Sequence, residues 1–224
     1  MPARGAFVVL EGLDRCGKTT QLSLLRSSLS SSSPPTPVKA LNFPDRTTPI
    51  GTMINSYLKT AADMSDNAIH LLFSSNRWEA APALLETLRE GTTVVCDRYA
   101  FSGVAFTAAK NNGTCGYDWC KGPDVGLPRP DLVLFLTVSE SVQEKRGDYG
   151  GERYETRELQ RSVRGVFDRL RADDEGERPW KVVDADRSVE EVARDIEEAV
   201  REVEERVRGE NPPIAKLWAE GSWD

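Results

Sequence analysis

Residues 12–20 read Gly12-Leu13-Asp14-Arg15-Cys16-Gly17-Lys18-Thr19-Thr20, a G-x-x-x-x-G-K-T spacing set directly after the apolar run Ala6-Phe7-Val8-Val9-Leu10. A loop of this kind leaves a buried strand and turns on its glycines, so that successive backbone N–H groups face a common centre at the electropositive start of a helix. That centre suits a nucleoside triphosphate. Lys18 is the lysine for its phosphates, Thr19 the hydroxyl for a metal ion, and Leu22, Leu25 and Leu29 follow with helical spacing.

A second set of charges concerns whatever accepts a phosphoryl group. Arg46, Arg77 and Arg98 come from three separate segments, two of them at the exits of expected strands, on the edge that carries the loop. Guanidinium forks match phosphate oxygens in pairs, so three of them aimed at one cleft would bind a second phosphate. Phe73 and Arg77 stand four residues apart and share one helix face, where a flat ring beside a hydrogen-bonding fork can hold a nucleobase. An apolar helix face that only packs into the core gives the same spacing. Cys16 sits beside Lys18 and a helix N-terminus, a setting in which a thiol is open to oxidation.

These groups must be positioned by the rest of the chain. Strands are expected over residues 6–10, 38–43, 92–96, 131–138 and 180–184, most of them apolar without alternation, as in parallel strands covered on both faces. Helices are expected over 50–59, over 66–90 as one or two segments with Pro82 as the break and Gly91 as the stop, and over 189–207. Strands and helices alternate, so the fold class is α/β, a doubly wound five-stranded parallel sheet with helices on both faces and ligands at its carboxyl edge. The Ser/Pro-rich residues 27–37 read as an exposed loop, and the glycine-rich, mixed-charge residues 143–156 as a short lid.

At 224 residues the chain fits one domain, 1–224, long enough to bury about three quarters of its unfolded surface. A net charge of -7 argues against broad binding of nucleic acid or an anionic membrane. With no leader-like segment and no long apolar run, an intracellular protein, cytoplasmic or nuclear, is expected. Cys16, Cys96, Cys115 and Cys120 have no C-x-x-C pair and only one histidine beside them, so free thiols are expected and a metal cluster is not.

Several long blocks carry a resemblance that the phosphate loop alone could not. Residues 11–21, Phe43-Pro44-Asp45-Arg46, residues 70–79 from His70 to Glu79 and residues 97–107 from Asp97 to Thr107 together resemble thymidylate kinase of the eukaryotic type. So do Asp118-Trp119-Cys120-Lys121, residues 123–128, Glu152-Arg153-Tyr154-Glu155 and Val183-Asp184-Ala185. The resemblance implies a P-loop kinase fold and transfer of the γ-phosphoryl group of MgATP to dTMP, usually in a homodimer whose apolar helices follow the second and third strands. It implies that Gly12, Arg15, Cys16, Gly17, Lys18, Thr19 and Thr20 hold the ATP phosphates, with Arg146, Asp184 and Ala185 on the adenine side. Mg²⁺ would rest on Thr19 and, partly through water, on Asp97.

On the acceptor side it implies that Asp14 reaches the sugar, that Arg46 and Arg98 clamp the dTMP phosphate, and that Phe73 stacks on thymine while Arg77 meets its carbonyl edge. Phe43, Leu58, Gly103, Phe106 and Tyr154 complete that pocket, and Tyr99 crowds the place of a ribose 2′-hydroxyl. The family carries its transition-state arginine either in the loop or on the lid. This chain has Arg15 in the loop and no basic residue at residues 147–152, which points to Arg15 as catalytic beside Lys18, Asp14 and Arg98, with Arg153 left to order the lid. Asp45 stands where a glutamate is common, and His70 has no role. A deoxynucleoside kinase using Asp45 as base, and a nucleotide-binding switch without transfer, are the competing readings.

Overall fold

The computed structural model describes residues 3–32, 36–110, 113–145, 153–154, 156–174 and 180–223. Five parallel strands form one sheet: β1 (Phe7–Gly12), β2 (Val38–Asn42), β3 (Thr93–Asp97), β4 (Leu132–Thr137) and β5 (Trp180–Asp184), in the order β2-β3-β1-β4-β5. The expected strands are all present, with ends displaced by a residue or so. Side chains of a strand alternate between faces. Phe7 and Val9 accordingly join one core with Val94, Cys96 and Phe135, while Val8 and Leu10 join the other with Val95, Leu134 and Val183.

Helices cover both faces. α1 (Lys18–Ser31) and α8 (Val189–Glu210) lie on the second core, whereas α2 (Pro49–Leu58), α3 (Asp66–Arg89), α4 (Ala100–Ala108) and α7 (Arg157–Asp173) lie on the first. The short α5 (Tyr117–Lys121) runs into a single 3₁₀ turn, Gly122–Asp124, and α6 (Glu140–Lys145) precedes α7. Register brings the carboxyl ends together: Leu10 and Asn42 both align with Asp97, Gly12 with Leu136, and Thr137 with Asp184.

Two expectations change. Pro82 does not break α3, which runs unbroken for 24 residues. Ala81, Leu84, Leu85 and Leu88 are buried around it, and Pro82 itself is on the exposed face, where water can meet the carbonyl that its ring leaves without a donor. The loop read from Ser27 begins later, because α1 continues to Ser31. Leu29 is wholly buried there, Ser28 donates to Glu197 at 2.6 Å, and the hydroxyls of Ser27 and Ser31 bond back to carbonyls one turn earlier. Residues 33–35 of that stretch lie outside the described residues, as do Arg146, the lid tip 147–152 and Glu155. Among the described residues no helix is long and apolar enough to cross a membrane.

One contact fixes where β1 ends relative to α4. Tyr99, the residue before α4, makes no side-chain cap. Glu11, wholly buried, supplies it from the neighbouring strand: Oε1 accepts from the N–H of Tyr99 at 2.9 Å and of Ser102 at 3.1 Å, and Oε2 from the Ser102 hydroxyl at 2.5 Å. Burial pushes the Glu11 carboxyl above its ordinary range, against the Ser102 hydroxyl, the Arg98 charge and the amides that favour the anion. Since the folded value is the raised one, ionisation works against folding as pH rises from the ordinary value through the raised one.

Glu11→Ala leaves these amides without acceptors and should destabilise the protein by roughly 2–5 kcal/mol, read as a lower urea midpoint at unchanged slope. A loss below about 1 kcal/mol would mean that water caps α4 as well as the carboxylate does.

Candidate active site

The phosphate loop joins β1 to α1. Gly12, at φ 144°, has no room for a side chain, since a Cβ would fall 2.5 Å from the Leu136 carbonyl oxygen and 2.8 Å from Cys16 Sγ. Gly17, at φ 98°, caps α1 in the left-handed region. Lys18 is buried with its ammonium inside the loop, donating to the carbonyls of Leu13 at 2.7 Å and Gly12 at 3.2 Å and to Cys16 Sγ at 3.4 Å. Thr19 Oγ1 donates to Asp97 Oδ2 at 2.6 Å, which joins the start of α1 to the end of β3.

A cavity of about 530 Å³ opens over this loop, lined by Arg15, Cys16, Gly17, Lys18, Thr19 and Thr20, and on its far side by Ala185, Arg187, Val189 and Val192. Arg15 stands at φ 64° in that lining. Asp184 is not part of the lining. Its carboxylate accepts from the N–H of Asp186 at 3.0 Å and so shapes the turn that presents Ala185. Gly12 ends β1 beneath the loop. Arg187 and the apolar start of α8 were missed in the sequence because charged residues crowd that segment and nothing marks this one as facing a cleft.

The second cavity, about 440 Å³, gathers every residue expected on the acceptor side: Asp14, Phe43, Arg46, Leu58, Phe73, Arg77, Arg98, Tyr99, Gly103, Phe106 and Tyr154. Five aromatic side chains, Phe43, Phe73, Tyr99, Phe106 and Tyr154, stand in its walls. Phe106 lies 5.8 Å from the ring of Tyr154 and beneath the Arg98 guanidinium at 5.1 Å. Tyr99 is 1% exposed, wedged between Phe7 and Phe43 with its hydroxyl donating to the Pro128 carbonyl at 3.2 Å.

Arg98 leaves β3 at φ 67° and is tied on every side. Its N–H donates to the Leu10 carbonyl at 2.9 Å, Nη1 to Gly12 O at 3.1 Å and Ser102 Oγ at 3.0 Å, and Nη2 to Asp14 Oδ1 at 2.5 Å. Burial disfavours its charge, yet Asp14, Asp97 and Glu11 more than offset that and raise it above the ordinary arginine range. Asp14 is held from the other side by two amides that no motif announced. Gln160 Nε2 donates to Asp14 Oδ2 at 2.6 Å and to the Tyr154 carbonyl at 3.0 Å, and Gln143 Nε2 donates to the Asp14 carbonyl at 2.8 Å.

Arg77 is 3% exposed, its Nε and Nη2 on the two oxygens of wholly buried Asp124 at 3.1 and 2.6 Å, with Ser74 also donating to that carboxylate at 2.8 Å. Gly103 makes the space for it: a Cβ there would lie 2.7 Å from Nη2. Arg46 is exposed and donates to Asn55 Oδ1 at 2.8 Å. Asp45 faces away from catalysis, for its carboxylate accepts from the N–H and hydroxyl of Thr47 at 2.9 and 2.7 Å and closes a turn.

Arg153 lies at the end of α2, not over the phosphate loop. It donates to the carbonyls of Tyr57 and Ala62, both at 3.2 Å, and pairs with Asp63 at 2.9 Å. The four cysteines are free and buried, and burial pushes Cys96 well above its ordinary range and Cys120 up to about 12. Cys16 is 1% exposed, which leaves peroxide little access to it.

The chain is similar to known proteins over most of its length. A family model described as thymidylate kinase matches residues 10–196. The thymidylate kinase of Danio rerio is 47% identical over 215 residues, 96% of this chain and 98% of that protein, and that of Homo sapiens is 49% identical over 189 residues, 84% and 86% respectively. The solved structure of thymidylate kinase from Candida albicans matches with a TM-score of 0.81 at 36% identity, covering 93% of this chain and 95% of that one. With its sheet, loop and aromatic cavity arranged as described, the chain belongs to the thymidylate kinase family, eukaryotic type.

Proposed function

We propose that the protein transfers the γ-phosphoryl group of MgATP to dTMP, giving dTDP and ADP. The observation that carries this reading is a shared wall: Asp14, Thr19, Asp97 and Arg98 line both cavities, so ligands in the two would meet there. The cavity over the loop takes ATP, with phosphates on the loop amides and Lys18 and the adenine side towards Ala185 and Arg187. The aromatic cavity takes dTMP. Arg46 and Arg98 hold its phosphate, Phe73 stacks on thymine, Arg77 meets O4, and the ring of Tyr99 occupies the space that a 2′-hydroxyl would need.

The transfer needs no base. A phosphate monoester has its second pKa near about 6, so at neutral pH the attacking oxygen is already ionised and the remaining task is to bring two anions together in line. Lys18 and the loop amides neutralise the donor and Arg98 the acceptor. Arg15 is proposed to meet charge on the group in flight, where a guanidinium helps the transition state more than either substrate. Thr19 and Asp97 offer a hydroxyl and a carboxylate side by side at the loop, the hard oxygen set that Mg²⁺ takes together with substrate phosphates. Bound there, the ion would neutralise the β- and γ-oxygens. The occupied carboxylate of Asp45 counts against a deoxynucleoside kinase, whose neutral acceptor hydroxyl requires a base. A homodimer through the apolar helices that follow β2 and β3 and an intracellular setting complete the proposal. Met53 and Leu71, about half exposed on those helices, support the former.

Purified protein given MgATP should convert dTMP to dTDP and leave thymidine untouched. Thymidine turnover, or no dTDP, would refute the assignment. In single turnovers Arg15→Gly should slow transfer substantially, arginines in this role being worth about 10³–10⁵, while KM for dTMP moves little. Arg153→Ala should cost less, because that side chain serves the end of α2. The reverse order would place the transition-state charge on the lid. Phe73→Ala should weaken every pyrimidine monophosphate by on the order of 1–3 kcal/mol. Arg77→Ala, made with Asp124→Asn so that no bare carboxylate stays buried, should instead erode the preference for dTMP over dCMP. An unchanged ratio would move base reading elsewhere.

A further inference from the structure

His70 is wholly buried in α3, two turns before Arg77, and has no part in the chemistry above. Its Nε2 lies 2.9 Å from the carbonyl oxygen of Cys120, and its Nδ1 lies 2.9 Å from Thr107 Oγ1. The ring also packs on Trp119, with centroids 5.3 Å apart. A carbonyl oxygen can only accept, so Nε2 must carry the proton. In a neutral imidazole Nδ1 is then an acceptor, and the Thr107 hydroxyl must donate to it. The hydroxyl proton is thereby turned to His70, and only lone pairs remain for the aromatic cavity that Thr107 lines.

Thr107 stands four residues after Gly103 on α4, and Gly103 is where the Arg77 guanidinium rests. One wall of the cavity thus offers a donor-only group and, about one helical turn away, an acceptor-only oxygen. Thymine and uracil present O4 as acceptor and N3–H as donor, the complement of that wall. Cytosine presents an N4 donor and an unprotonated N3, so both contacts would be repulsive. We infer that His70 is a positioning residue for base selection: its Nε2–H tautomer, locked by Cys120, fixes the Thr107 hydroxyl as the acceptor for N3–H of a pyrimidine 4-keto nucleotide. This inference rests on the aromatic cavity being the dTMP pocket.

The surroundings keep the ring neutral. Burial and, after it, the charge of Arg77 lower the histidine below its ordinary value, with Lys110 acting in the same direction and Asp124 and the Cys120 carbonyl against them. These groups come from α3 itself, the turn after α4, the 3₁₀ turn and α5.

His70 is the sole histidine of the chain, so long-range ¹H–¹⁵N correlation on the intact labelled protein reports on it alone. The neutral Nε2–H tautomer should be the species present from about pH 7 to about 8, above the ordinary histidine value. An Nδ1–H tautomer, or an imidazolium in that window, overturns the inference. The second arm is kinetic. Thr107→Val, which keeps shape and loses the oxygen, should lower kcat/KM for dTMP about tenfold or more and shrink the dTMP to dCMP ratio, whereas Thr107→Ser should preserve the ratio. If the parent phosphorylates dTMP and Thr107→Val leaves the ratio unchanged, this inference alone falls. If the parent is inert towards dTMP, the pocket assignment falls with it.

Discussion

The buried carboxylate of Glu11 is the constraint on which the site depends. It sits one residue before the phosphate loop and caps a helix that starts from a different strand. Two chain segments about 85 residues apart are thereby fixed to each other at the level of single hydrogen bonds, through Glu11 to Tyr99 and Ser102 and through Arg98 to Gly12 and Asp14. A capping serine or aspartate before α4 would satisfy the same amides locally. It would not tie the end of β1 to the start of α4. The arrangement accepts the cost of burying a charge in order to hold Arg98 at a positive φ beside the loop.

The two cavities are built from different materials. Over the loop the lining is backbone and charge, suited to polyphosphate. The other is lined by aromatic rings interleaved with polar groups, where a few placed hydrogen bonds can set specificity. Those groups are themselves immobilised: Arg77 by Asp124, Asp14 by Gln160, Arg98 by Asp14 and Ser102, Thr107 by His70. Such supports save the ordering entropy that long side chains would otherwise lose when substrate arrives. The carboxylates also limit the positive charge that five arginines and a lysine would concentrate in the cleft.

Local signals failed where tertiary burial outweighed them. Proline is a strong helix breaker in isolation, yet α3 passes through Pro82 because buried leucines follow it and the ring faces solvent. A run of serines reads as loop, yet α1 extends into it because Leu29 is buried and Ser28 finds Glu197 on α8. In both cases the decisive partner is remote in sequence.

What the sequence determined by itself follows from short-range physics. A glycine-lysine-threonine spacing after an apolar strand dictates an anion site, apolar runs without alternation dictate a parallel sheet, and strand exits dictate the edge on which Asp14, Arg46, Asp97 and Arg98 would gather. The long blocks around Phe73 and Arg98 carried the family and, with it, the roster of the aromatic cavity. The supports were decided only by tertiary structure: Glu11 under α4, Asp124 behind Arg77, Gln143 and Gln160 on Asp14, and His70 behind Thr107. Each is a common polar residue whose partner is 37 or more positions away along the chain, so no local pattern distinguishes it from a solvated one. Once buried, such a group must find its hydrogen bonds inside the protein, and that requirement gives it one geometry and one role.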